Sequence, residues 1–101
     1  MLKNGRPYSD ENGYADTELI TDESKENQAA VANWIRTNIS HRRTINKRHT
    51  SYGLKHMLEQ DTGLYLTNNA FKDAMLFAGY EPTDPNELNW HYHIRLREER
   101  W

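Results

Sequence analysis

Most of the binding chemistry that this sequence offers lies in one basic stretch. Residues 34–59 carry six Lys and Arg residues and a single acid, Glu59, which gives the stretch a net charge of +5. The flanking segments are acidic, so the 101-residue chain has a net charge of only −2. Charge segregation of this kind is typical of a surface for an anionic partner. It is also expected of a solvated basic loop that the acidic flanks of the same fold neutralise.

The residues suited to nucleic acid fall into two sets. Arg and Lys bind phosphate oxygens, whereas Asn and Lys at the start of a helix can reach base edges. We predict phosphate contacts from the basic stretch, assisted by the last strand, and base contacts from the start of the third helix, although Asp73 there would repel phosphate. The predicted nucleic-acid-binding residues are Arg42, Arg43, Lys47, Arg48, Lys55, Asn68, Asn69, Lys72, Arg95 and Arg97.

Metal binding and catalysis find little support in the sequence. His91 and His93 would share one face of a strand, but a zinc site needs three or four ligands and no third one is evident. Ser51 and His56 have no acid placed to orient the histidine, which a nucleophile–base pair requires. There is no cysteine, glycine-rich phosphate loop or paired-carboxylate motif. We therefore predict no metal, no cofactor and no enzymatic activity.

Three amphipathic helices must position the basic residues. In the first, Val31, Trp34, Ile35 and Ile39 form an apolar stripe at helical spacing. Glycines that suit the left-handed conformation end the second and third helices. The predicted helices run over about residues 22–39, 51–61 and 68–78, with N-caps at Thr21, at Thr50 or Ser51, and at Thr67.

Two extended segments are also predicted. Residues 64–66 form a short apolar run between turn signals, which indicates a strand. From about residue 89 to 97, apolar and basic or imidazole side chains alternate with a period of two, so one face should pack inward. Residues 80–82 could pair with 89–96 as a hairpin whose tip is 83–88.

These elements predict an α+β fold: three helices with a small antiparallel β-sheet, winged-helix-like. The second and third helices would form a helix-turn-helix pair, although the link between them is longer than usual. Residues 21–101 would form this single domain. Residues 1–20 would be a flexible or loosely docked N-terminal arm, pinned by Tyr8, Tyr14, Leu19 and Ile20.

Part of the sequence resembles a group of known proteins. Residues 52–56 (Tyr-Gly-Leu-Lys-His), 65–72 (Tyr-Leu-Thr-Asn-Asn-Ala-Phe-Lys) and 78–80 (Ala-Gly-Tyr) resemble uncharacterised small proteins of bacteriophages and conjugative elements, over about residues 34–97. The helix ending at 71–80 is also similar to the winged-helix tails of viral and phage primase-helicases. Neither resemblance contains a catalytic motif. The first implies an origin in a mobile element, where regulators and inhibitors of host defence are often this small.

The sequence therefore favours two functions. The leading prediction is a nucleic-acid-binding protein of a phage or mobile element, which contacts phosphates through its basic loop, with a regulatory role and a homodimeric state as options. The alternative is a protein–protein inhibitor or adaptor, such as a counter-defence (anti-CRISPR-type) protein acting on a host nuclease, for which the acidic stretch at 10–26 would suit nucleic-acid mimicry. The absence of cysteine, of a signal-peptide pattern and of a long apolar run predicts a cytoplasmic protein without a membrane partner.

Overall fold

The computed structural model describes residues 2–3, 5–7 and 17–97. Within them the predicted α+β class is confirmed: three helices pack with small antiparallel sheets, a layout compatible with a winged-helix-like fold. No helix in these ranges is long and apolar enough to cross a membrane. In chain order the elements are β1 (Leu2–Lys3), β2 (Arg6–Pro7), a 3-10 turn (Ile20–Asp22), α1 (Lys25–Asn38), β3 (Ile39–His41), α2 (Ser51–Thr62), α3 (Asn68–Phe77) and β4 (Ile94–Leu96).

The helix ends follow local capping chemistry. Thr50 and Thr67 cap α2 and α3 as predicted, each accepting a backbone N–H with its hydroxyl oxygen. Gly63 ends α2 in the left-handed conformation, with φ of 75°, also as predicted. The prediction that Thr21 caps α1 is wrong. Residues 20–22 form a 3-10 turn, and Ser24 caps α1 by accepting from the backbone N–H of Asn27 at 3.1 Å.

The third helix lies at the centre of the molecule. Every residue of α3 from 69 to 75 is buried, and α1, α2, β2 and the 3-10 turn all pack against it. Ala70, Phe71, Ala74 and Met75 form an apolar face that packs into the core, whereas Asn69, Lys72 and Asp73 on the rest of the helix are buried by hydrogen bonds to neighbouring segments. The buried apolar residues that meet around α3 include Val31, Trp34, Ile35, Leu54, Leu58, Leu66, Phe71, Met75, Trp90 and Tyr92.

The period-two pattern near the end of the chain correctly predicts which side chains point inward. Trp90, Tyr92, Ile94 and Leu96 are buried. The strand itself is shorter than predicted, and its partner differs. β4 pairs antiparallel with β3, and residues 80–82 do not form the predicted hairpin with it, although one backbone bond joins 83 to 91. β3 follows α1 without a break, and the backbone N–H of Arg97 donates to the carbonyl of Asn38, so the end of α1 and β3 together occupy the edge of β4.

Residues 64–66 are not a strand. Leu66 is buried, as an apolar run suggests, but Tyr65 is exposed and no described strand lies alongside the segment. Instead the backbone N–H of Leu66 donates to the Glu59 carboxylate of α2 at 3.2 Å. The segment is an irregular link between α2 and α3.

The described parts of residues 1–20 dock onto α3. The Arg6 guanidinium bonds both oxygens of the buried Asp73 carboxylate, at 3.1 and 2.6 Å, and this hydrogen bonding raises the pKa of Arg6. Asp73 also accepts from the backbone N–H of Ile20 at 3.0 Å, and Ile20 is itself buried. Tyr8 and Tyr14, predicted to pin this segment, lie outside the described residues.

Candidate nucleic-acid interface

The basic stretch and the last strand lie side by side because their backbones are paired. Residues 38–51 run antiparallel to residues 90–97, through the β3–β4 ladder and through bonds on either side of it. Beyond the ladder, residues 42, 46 and 51 donate their N–H groups to the carbonyls of 93, 92 and 90. We call the exposed or half-exposed cations carried by this pairing and by the end of α1 the basic strip. It comprises Arg36, Arg42, Arg43, Lys47, Arg48, Arg95 and Arg97.

One buried amide holds the loop that carries four of the seven cations of the basic strip. Asn46 is 2% exposed, and its side-chain NH₂ donates to the carbonyl of Ile94 at 3.3 Å. Its side-chain oxygen accepts the backbone N–H groups of Arg48 and His49, both at 3.0 Å. Asn46 thus replaces the hydrogen bonds that a regular strand would supply, and the basic side chains around it are left at the surface. Ile45, the one strongly apolar residue of this loop, is half-buried.

Arg42 and Tyr80 fix the start of the loop. The Arg42 guanidinium donates to the carbonyls of Thr44 and Ile45, at 3.0 and 2.9 Å, so it shapes the turn, and it pairs with no carboxylate among the described residues. The Tyr80 hydroxyl donates to the carbonyl of Ile39 at 3.0 Å, and its ring stacks on His41 at 4.2 Å between centroids. Burial raises the pKa of Tyr80, so this hydroxyl stays protonated as a donor.

Three arginines of the strip converge on a groove beside the β3–β4 sheet. Arg36 from the last turn of α1 and Arg95 and Arg97 from the last strand line a cavity of about 350 Å³, together with Thr37, Ile39 and Ser40. None of these lining residues is acidic. The guanidiniums of Arg95 and Arg97 make no hydrogen bond or ion pair within the described residues. Three full positive charges outweigh the roughly half negative charge at the C-terminal end of α1, so the groove favours an anion.

The predicted base-contacting residues are engaged in the interior instead. Asn69 and Lys72 are each 2% exposed. Asn69 donates to the carbonyls of Pro7 and Glu18, and the Lys72 ammonium donates to the carbonyl of Leu88 at 3.0 Å. The Asn68 amide is half-buried and donates to the same carbonyl. These three side chains attach neighbouring segments to α3, and none of them presents a free group to a groove of DNA.

Lys55, also predicted to contact phosphate, does not belong to the basic strip. Its side chain is 5% exposed, and its ammonium lies 3.0 Å from the Glu59 carboxylate one helical turn later. The same ammonium lies 5.2 Å from the ring centroids of both Tyr52 and Tyr65. Lys55 therefore organises the surface around α2 and is not placed to contact phosphate.

The histidines form no metal centre within the part of the chain that the structure describes, where no three His, Asp or Glu side chains are grouped to hold an ion. His93 is exposed, whereas His91 is half-buried with a ring nitrogen 3.5 Å from the Glu87 carboxylate. His56 lies beside Arg48 and His49 in a cavity of about 370 Å³.

Sequence reasoning missed two contributors to this surface. Arg36 was left out because it falls in the first helix, yet β3 follows that helix directly, so its last turn lies next to the sheet. Asn46 carries no charge, so the charge pattern of the basic stretch does not single it out. An Asn between basic residues in a loop is a signal for side-chain-to-backbone bonding, but its partner Ile94 is remote in the sequence.

Comparison of the chain with protein-family models, with curated proteins and with solved structures finds no match.

Proposed function

We propose that this protein binds nucleic acid through phosphate contacts along the basic strip, as a regulator of a phage or mobile element. The observation that carries the proposal is the groove at which Arg36, Arg95 and Arg97 meet with no acidic neighbour in its lining. Like charges held together raise the energy of the free protein. A bound phosphate relieves that repulsion, and each guanidinium can donate two parallel hydrogen bonds to it.

The mode of binding follows from which residues are free. Because Asn69 and Lys72 are buried in contacts of their own, α3 is not offered as a recognition helix. The proposed contacts are therefore directed at phosphates and carry little base preference. If all seven cations of the strip contact phosphate, the logarithm of the binding constant should fall with the logarithm of the salt concentration with a slope of about −5 to −6.

The test is fluorescence anisotropy of labelled single-stranded and duplex DNA of random sequence, at low salt and at about 0.15 M salt. Replacing Arg95 and Arg97 together by Ala should weaken binding and reduce the salt slope by about 1.4–1.8. Lys25→Ala is the matched control, because Lys25 is exposed at the start of α1, away from the strip. Arg42 is a poor target, since its replacement would also release the turn at 44–45.

Saturable binding that depends steeply on salt and on Arg95 and Arg97 supports the proposal. Failure to bind either DNA at low salt overturns it, and so does a salt slope that the double substitution leaves unchanged.

A second candidate function is a protein-binding inhibitor or adaptor, including a counter-defence protein. It is favoured by an apolar groove of about 350 Å³ between the 3-10 turn, α1 and α3, at whose edge Phe77 is 66% exposed. This candidate predicts a partner from host extract that the wild type retains and Phe77→Ser loses, with Arg95→Ala/Arg97→Ala as a control that keeps it. Of the acidic stretch proposed for mimicry, residues 10–16 lie outside the described residues.

A further inference from the structure

Two tyrosines stand out on the surface next to the basic strip. Tyr52, in the first turn of α2, is 49% exposed, and Tyr65, in the link after α2, is 73% exposed. Tyrosine rings normally bury most of their area and leave only the hydroxyl in water. Their exposure costs hydrophobic free energy in the free protein, which a partner that covers the rings would recover.

The two rings are held in place by one buried network. The Lys55 ammonium lies 5.2 Å from each ring centroid, and Glu59 fixes that ammonium at 3.0 Å. Glu59 also accepts the backbone N–H of Leu66, which ties the link carrying Tyr65 to α2. Since Lys55 reaches both rings, their centroids lie within twice 5.2 Å of each other. Nucleotides follow one another at about 3.4 Å along a stacked strand, so the rings can contact bases at most about three nucleotides apart.

The rings are continuous with the basic strip. The ring of His56 meets the ring of Tyr52 edge-on, with centroids 4.4 Å apart. His56 in turn lines the same cavity as Arg48, which belongs to the strip. A chain of phosphates that runs along the strip past Arg48 would therefore bring its bases to Tyr52 and Tyr65.

We propose that Tyr52 and Tyr65 form a stacking surface for unpaired bases, so that the protein binds single-stranded nucleic acid in preference to duplex. This inference rests on the proposed function. Unpaired bases present their faces to aromatic rings, whereas the bases of a duplex are stacked on each other and present only their edges. Positive charge along the backbone with aromatic rings beside it is the combination that binds single strands without sequence preference.

The experiment measures the affinity of the full chain for oligothymidine and for a duplex of the same length, at one salt concentration. Tyr65→Ala should weaken binding to oligothymidine by about fivefold or more, and Tyr52→Ala in the same direction, with duplex binding unchanged. Tyr65→Phe keeps the ring and should bind like the wild type. Phe77→Ala is a matched control, because it removes a ring of similar exposure, 66%, outside the proposed surface. Circular dichroism checks that each variant is folded.

Each outcome bears on a different claim. Loss of single-strand preference in Tyr65→Ala but not in Tyr65→Phe or Phe77→Ala supports the stacking surface. Binding to both DNA forms with affinities that Tyr65→Ala leaves unchanged overturns the stacking surface and keeps the proposed function. If the two rings instead bind a protein partner, Tyr65→Ala likewise leaves the affinity for DNA unchanged, and the stacking surface is overturned. Binding to neither form overturns both proposals.

Discussion

Replacing Asn46 by Ala tests whether a single buried amide holds the basic loop. The substitution removes one donor to the carbonyl of Ile94 and one acceptor for the N–H groups of Arg48 and His49. A hydrogen bond contributes about 0.5–1.5 kcal/mol to stability, and a buried group left without a partner costs more. The bond to Ile94 is long, at 3.3 Å, so it contributes at the low end of that range. For the three bonds together we expect the free energy of unfolding to fall by about 2–4 kcal/mol.

The assay is urea-induced unfolding followed by tryptophan fluorescence, because Trp34 and Trp90 are buried and report on the core. In a thermal scan the same loss should lower Tm by at least about 8 °C, at roughly 4 °C or more per kcal/mol for a domain of this size. Lys47→Ala is the control, since Lys47 is the exposed neighbour and its loss should cost no more than about 0.5 kcal/mol. If Asn46→Ala unfolds like Lys47→Ala, the anchoring role assigned to Asn46 is refuted.

Two further predictions concern buried groups. The Tyr92 hydroxyl has no hydrogen-bond partner among the described residues, so in urea unfolding at pH 7 Tyr92→Phe should match the wild type or be more stable by about 1 kcal/mol; a large loss would contradict this. Burial raises the pKa of Tyr92, so the unfolded chain ionises first, stability falls as the pH rises above about 10, and Tyr92→Phe should lose less of it between pH 8 and pH 11. Arg6→Ala removes the counter-ion of Asp73, whose side chain is 1% exposed. Thermal unfolding should show that the free energy of unfolding falls by about 2 kcal/mol. This is less than the roughly 3–5 kcal/mol expected for a fully buried pair, because Arg6 is 35% exposed. Adding Asp73→Asn should restore part of that stability, whereas an unchanged Tm in Arg6→Ala would show that the pair contributes nothing.

Local signals in the sequence were sufficient for the helices. Threonine hydroxyls before α2 and α3 and the glycine at 63 predict the observed ends, because capping depends on a few neighbouring residues. The alternation of apolar and polar residues from Trp90 to Leu96 predicts the inward face of the last strand, because side-chain direction in an extended segment also depends only on neighbouring positions. The cap of α1 was missed because both Thr21 and Ser24 suit the role, and the 3-10 turn at 20–22 decides between them.

Features that depend on distant contacts were not predictable. Lys72 looks like an exposed cation in sequence, yet its ammonium lies 4.7 Å from the ring centroid of Trp90 and donates to Leu88. Asp73 looks like an obstacle to phosphate binding, yet Arg6, 67 positions earlier in the sequence, neutralises it. The strand partner of β4 was also misassigned, because pairing over such separations leaves no local pattern.

The pairing that assembles the basic strip has a consequence for chain entropy. The contacts that close it join residues far apart: the N–H of Trp90 donates to the Ser51 hydroxyl across 39 positions, and Asn46 reaches Ile94 across 48. Loop-closure entropy grows only with the logarithm of loop length, by about 0.6 kcal/mol per doubling. Bringing the two halves of the basic strip together therefore costs chain entropy, but this cost depends little on the number of residues between them. Extra residues in the exposed turn at 83–87 would leave the two halves of the strip paired as they are.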